Sequence, residues 1–148
     1  MAVQEVSFHH GMADKLAYAC RLLRKAYRAG HVTVVTADAA TLRQLDRQLW
    51  VFDEQEFLPH VCVTEGKAWP ARWAGTPIWL TDDPAKAPVQ HQTLVNLGEA
   101  MPEGWADYDR FFDVVSSEPQ DRAAGRQRWR QYEALGLRIN PHHAQENA

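Results

Sequence analysis

Cysteine is scarce in this chain: Cys20 and Cys62 are the two among 148 residues, and they stand far apart. Each falls inside an apolar pattern, which reads as a reduced, buried thiol of a cytoplasmic protein and excludes a disulfide framework. Long hydrophobic runs are missing too. No apolar stretch approaches the roughly 18 residues of a membrane span, and no basic-then-apolar leader opens the chain, so no membrane role is expected. A large charge of one sign is also lacking. The net charge of −3 argues against holding nucleic acid through bulk electrostatics, and no specific nucleic-acid contact is expected.

Glycine-rich loops are absent as well. The first strand-to-helix turn, Phe8-His-His-Gly11-Met-Ala-Asp14, carries one glycine, and neither GxGxxG nor GxxxxGK[ST] occurs. Without stacked glycines the backbone cannot close on a pyrophosphate, so a nucleotide is not expected. GxSxG and HExxH are missing, and neither cysteine has an activating context. The pairs His9-His10 and His142-His143 point their members different ways on a strand or helix. His60 and Cys62 share a strand face but supply two ligands, short of a metal site. Asp82-Asp83 and the carboxylates of 107–113 read as turn formers and caps. No enzyme signature is present, and no cofactor is expected.

The composition that remains, 45% hydrophobic and 24% charged, is that of a soluble globular protein, and the length fits one domain, 1–148. Charge is unevenly spread. Residues 1–52 carry +3, residues 53–118 carry −8, and residues 119–148 carry +2. Cationic surface is therefore confined to the two ends of the sequence.

In chain order, Val3–Phe8 alternates as a strand, with His9-His10-Gly11 as the turn out of it. Leu16, Cys20, Leu23 and Tyr27 recur at spacings of 4, 3 and 4, one buried stripe of a helix over Ala13–Ala29 that Gly30 stops. The β-branched run Val32–Thr36 suits a central parallel strand. Asp38 stands at an N-cap position before Leu42, Leu45 and Leu49, which mark a second helix closed by Trp50. Further strands are expected at Val61–Val63, Ile78–Thr81, Thr93–Leu97 and Phe111–Val115, with a Trp-, Gly- and Pro-rich loop over 64–77. Residues 140–148 read as a frayed tail. The strand–helix alternation predicts a three-layer α/β fold, a mainly parallel sheet with helices on both faces, Rossmann-like but without a nucleotide-binding loop.

The last helix draws most attention. Arg122, Arg126 and Arg130 follow one another at i, i+4 and i+8, with Trp129 among them, while Ala124, Tyr132 and Leu135 face a core and Gly136 ends the helix. A cationic ledge beside a large aromatic suits an acidic segment that carries an apolar anchor. Leu137 and Ile139 are candidates to complete its groove. A second candidate surface is Trp50 with Phe57 and Leu58, large apolar side chains around the acidic loop Asp53–Glu56.

These stretches carry a resemblance. Leu45-Asp46-x-x-Leu49-Trp50 followed by Phe57-x-Pro59-His60, together with Arg126-x-Arg128-Trp129-Arg130-x-Tyr132 and Gly136-x-x-x-Asn140, resembles the chi subunit family of bacterial DNA polymerase III. The match covers nearly the whole chain and is weakest over 64–92. Trp129 stands where a smaller aromatic is common. The resemblance implies a non-catalytic accessory subunit of the clamp-loader complex, soluble in the cytoplasm at the replisome. It implies two partners: the psi subunit, and the acidic, Phe-terminated tail of single-stranded-DNA-binding protein. Arg122, Arg126, Trp129 and Arg130 match the tail-binding patch. Trp50, Phe57 and Leu58 match the surface for psi or for a competing helicase. The other reading of the residues, a small α/β enzyme or nucleotide binder with an unrecognised site, has neither a glycine loop nor a catalytic set behind it.

Overall fold

The computed structural model describes residues 4–87 and 92–144. Its frame is a seven-stranded sheet of β1 (Glu5–Met12), β2 (Thr33–Thr36), β3 (His60–Val63), β4 (Ile78–Thr81), β5 (Thr93–Asn96), β6 (Arg110–Ser116) and β7 (Arg138–His143). The spatial order is β3-β4-β2-β5-β6-β1-β7, with every neighbouring pair parallel. Helices α1 (Lys15–Arg28) and α2 (Ala39–Val51) pack together on one face, and α3 (Pro119–Ala134) covers β6 and β7 on the other. This is the three-layer α/β arrangement expected from the alternation of strands and helices.

Local chemistry explains the elements. Asp14 caps α1 by accepting from Ala17 N at 3.0 Å, and Asp38 caps α2 by accepting from Thr41 N at 3.0 Å. Cys20 and Leu23 from α1, with Leu42, Leu45 and Leu49 from α2, bury their apolar stripes against Val35, Val95 and Val114 of the sheet. The central strands β2, β4 and β5 are buried at every position, which matches their continuous apolar and threonine content. On the opposite face the Trp-rich loop does the work of a missing helix. Trp69 meets the fully buried Trp79 edge to face, with ring centroids 4.8 Å apart. None of the described helices is long and apolar enough to cross a membrane.

Several expectations need correction. His9, His10 and Gly11 are not a turn, because β1 runs on through Met12 with an irregularity between His10 and Met12. Residues 140–143 are not tail either. They form β7, in parallel register with β1 from Glu5↔Arg138 to His10↔His143. The strand is exposed at most positions, so no apolar alternation announces it. Its pairing with β1 is a long-range backbone ladder that local sequence does not encode. Leu58, grouped above with the exposed aromatics, is 1% exposed and belongs to the core between α2 and the sheet. Leu135 is exposed rather than packed, and the buried stripe of α3 is Gly125, Arg128 and Tyr132. Val3 and residues 145–148 lie outside the described residues.

Candidate partner-binding site

The sequence singles out Arg122, Arg126, Trp129 and Arg130 on α3, and the structure brings all four to one cleft of about 820 Å³. The helix starts at Glu118, whose carboxylate caps Gln120 N at 3.3 Å, with Pro119 at the first helical position. It lies close to the sheet because Gly125 sits over Val115. A Cβ at Gly125 would come within 2.8 Å of Val115 Cγ2. Trp129 then leans on the sheet and meets Phe8 of β1 edge to face, centroids 5.0 Å apart at 85°. Phe8 and Pro141 complete the apolar floor, and His10 and His143 line its far wall.

The three arginines are exposed along the rim. None makes an ion pair or a side-chain hydrogen bond among the described residues. Like charges at i and i+4 cost a helix about 0.2–0.5 kcal/mol per pair, and a cation near a helix N-terminus also opposes the macrodipole. The mutual repulsion of Arg122, Arg126 and Arg130 therefore does nothing to support the helix. An anion laid along them gains three donors. Burial, then the nearby imidazoles His143 and His142, lowers the pKa of His10, so this cleft-lining ring is uncharged at neutral pH.

Arg128, two residues from both Arg126 and Arg130 and so on the other side of the helix, has the opposite fate. It is 1% exposed and donates through Nε and Nη2 to the two carboxylate oxygens of Asp113 on β6, both at 2.9 Å. Its Nη1 donates to the backbone oxygen of Glu99 at 2.7 Å, and Tyr132 Oη donates to the same Asp113 carboxylate. Burial drives the Tyr132 phenol pKa upward, and the neighbouring Asp113 charge adds to it. This closed network fixes the rotation of α3, and with it the direction in which Trp129 and the arginines point.

Leu137 and Ile139 do not line the cleft. They pack beside the opposite end of α3, against the core of that face. The apolar wall is supplied instead by Phe8, Val115 and Pro141, which the sequence did not flag because they come from three strands.

The second surface holds together differently. Trp50 and Phe57 are 59% and 52% exposed, with ring centroids 5.2 Å apart. Beneath them His60 lies with Nδ1 2.6 Å from Leu58 O and Nε2 3.1 Å from Asp46 Oδ1, its ring 5.0 Å from Trp50. The two motifs Asp46-x-x-Leu49-Trp50 and Phe57-x-Pro59-His60 thus meet in space as one constellation. Two solvent-exposed aromatics held against each other form an apolar patch rimmed by the acidic residues Asp53 and Glu56. Those carboxylates are tied back to α1 by Arg24 at 3.3 Å and Arg28 at 2.5 Å.

The sequence profile of the family described as DNA polymerase III chi subunit, HolC, matches residues 3–140. A curated relative from Pseudomonas aeruginosa, named DNA polymerase III subunit chi, is 33% identical over 129 residues, 86% of this chain and 85% of its own length. Proteins of the same name from Haemophilus influenzae and Escherichia coli are 24% identical over 123 residues and 21% identical over 122 residues. Each alignment spans 82% of this chain, and 82% and 80% of the relatives respectively. The extent of these matches, from residue 3 into the last strand, places the chain in the family of the DNA polymerase III chi subunit.

Proposed function

We propose that this protein is a non-catalytic bridging subunit of the polymerase III clamp-loader complex, joining the psi subunit on one surface to the acidic tail of single-stranded-DNA-binding protein on another. The observation that carries the proposal is the α3 cleft. It combines three unpaired arginines with an apolar floor of Trp129, Phe8 and Pro141, which is the chemistry an acidic tail ending in Pro-Phe requires. Carboxylates of the tail lie along Arg122, Arg126 and Arg130, and the terminal ring enters beside Trp129. The psi subunit, or a helicase competing with it, docks on Trp50 and Phe57, where truncating a central aromatic typically costs about 2 kcal/mol or more.

The two sites lie on different elements, α3 and the α2–β3 connection, so occupation of one leaves the other open. Size-exclusion chromatography of the protein mixed with psi and a fluorescent tail peptide tests this. Co-elution of all three components supports the bridge, and displacement of psi by the peptide contradicts it.

A further inference from the structure

A second cavity, of about 460 Å³, opens on the other face of the sheet, beneath the C-terminal half of α1. It shares no lining residue with the α3 cleft. Parallel pairing aligns Thr33 on β2 with Thr93 on β5, and Thr93 with Arg110 on β6, so two hydroxyls and a guanidinium form a row along one edge of the cavity. Thr33 and Thr93 are 0% and 2% exposed, yet neither Oγ1 has a hydrogen-bond partner among the described residues. His9, 8% exposed, also lines the space, and its Nε2 is likewise unpartnered while Nδ1 is engaged with Tyr18 Oη. Three of the four buried orphan side-chain polar atoms found among the described residues therefore converge on one cavity.

Native proteins leave few buried polar groups unsatisfied, and a cluster of them aimed at an open space marks a place where something else supplies the partners. The lining identifies the chemistry. Lys25 and Arg110 contribute positive charge, and among the described residues no carboxylate lines the cavity although the chain holds 19 acidic residues. The Arg110 guanidinium lies 2.7 Å from His31 Nδ1 and over the Phe112 ring at 5.2 Å, and neither contact is a carboxylate. Leu22, Val95 and Phe112 form an apolar wall, and the volume falls within the usual range for small-molecule sites. Lys25 and Arg110 are exposed and reach the cavity from its rim, and water alone would satisfy the hydroxyls but leave the apolar wall wet.

We propose that this cavity binds a small organic anion, one carboxylate or phosphate on a compact apolar or aromatic body. The anionic group faces Arg110 and Lys25, with the Thr33 and Thr93 hydroxyls and His9 Nε2 bonding to it or to polar substituents of the body. The site is independent of the tail cleft and of the Trp50–Phe57 surface, and it makes the protein a receptor for a metabolite as well as a scaffold.

Benzoate is the probe, with benzyl alcohol as its uncharged counterpart, titrated into the whole protein labelled at threonine methyls and histidine rings for NMR. The expected result is a saturable shift of the Thr33 and Thr93 methyls and the His9 ring below about 10 mM benzoate, with benzyl alcohol at least about tenfold weaker. Arg110→Gln should weaken benzoate about tenfold while leaving the spectrum of the remainder unchanged. Thr93→Val should raise the melting temperature of the free protein, because it removes an orphan hydroxyl, and should weaken benzoate. Absence of a saturable shift, equal response to benzyl alcohol, shifts confined to the Phe8–Trp129 cleft, or wild-type affinity in both variants would each overturn the proposal.

Discussion

Arg128 and Asp113 face each other with both guanidinium–carboxylate hydrogen bonds at 2.9 Å, and neither side chain is more than 1% exposed. The pair ties the middle of α3 to the middle of β6, with Arg128 two residues from both Arg126 and Arg130 on the rim. Removing one partner leaves a buried charge with no counter-ion. Arg128→Met should therefore cost about 3–5 kcal/mol of stability, measured by urea unfolding. An exposed arginine of the same helix makes the comparison: Arg126→Met should change stability by less than about 0.5 kcal/mol. A small loss for Arg128→Met would show that the network does not anchor the helix.

Gly125 sets the approach of the same helix to the sheet. A valine there adds three carbons where even a Cβ would lie 2.8 Å from Val115. Overpacking of this kind costs about 1–3 kcal/mol. Gly125→Val should lower the unfolding free energy from urea titration by that amount and shift the NMR signals of Phe8 and Trp129, since the helix must lift away from both.

At the Trp50–Phe57 surface, binding and stability should separate between two adjacent residues. Phe57 is 52% exposed and Leu58 is 1% exposed. Phe57→Ala should change stability by no more than about 1 kcal/mol and abolish co-purification with psi. Leu58→Ala should cost about 2–5 kcal/mol by opening a cavity. An unfolded Phe57→Ala protein would place that ring in the core and remove the docking surface.

His9 and His10 of β1 give the fold a predictable acid sensitivity. His9 stacks on His142, centroids 4.7 Å apart, with Phe112 on β6 also against it and Tyr18 and Lys25 facing it from α1. Burial, then the charges of His142, Lys25 and His10, lowers its pKa to about 4. Between the unfolded value near 6.5 and about 4, the unfolded chain takes up a proton that the folded chain refuses. Stability is thus full above about pH 6.5 and falls as pH drops through that window, by about 3 kcal/mol once it is crossed. His10 pulls the same way, so His9→Gln should flatten most of the slope, and His10 leaves a remainder. Urea midpoints at about pH 7 and pH 5 for both proteins check this, and identical slopes would contradict it.

Much of this was legible in the sequence where the signal is local. Asp38, followed by Leu42, Leu45 and Leu49, announces α2, and the i, i+4, i+8 arginines with Trp129 place one wall of the cleft. The other wall was not legible. Phe8 and Pro141 reach Trp129 only because β1 pairs with both β6 and β7, and nothing near residue 141 signals that a strand with proline lies there. An edge strand tolerates Pro141 because it needs ladder bonds on one side only. The adjacent histidines read as diverging pairs, which is correct within each strand. Parallel register then stacks His9 on His142 and sets His10 against His143, a cross-strand relation that no spacing reveals. Arg128 stands outside the i, i+4, i+8 row of the ledge and carried no expectation of its own. Its place on the stripe Gly125–Arg128–Tyr132, at spacings of 3 and 4, was the available sign that it points inward.

The central claim is that α3 and β1 take an acidic, Phe-terminated tail, and fluorescence anisotropy of a labelled tail peptide tests it most directly. Exposed ion pairs contribute at most about 1 kcal/mol each, so burial of the terminal ring beside Trp129 must supply much of the affinity. Binding should be modest, weaken with salt and persist at high salt. Arg126→Ala and Trp129→Ala should each raise Kd, and deleting the terminal Phe from the peptide should raise it at least as much. Unchanged affinity in both variants would contradict the account and put the tail elsewhere.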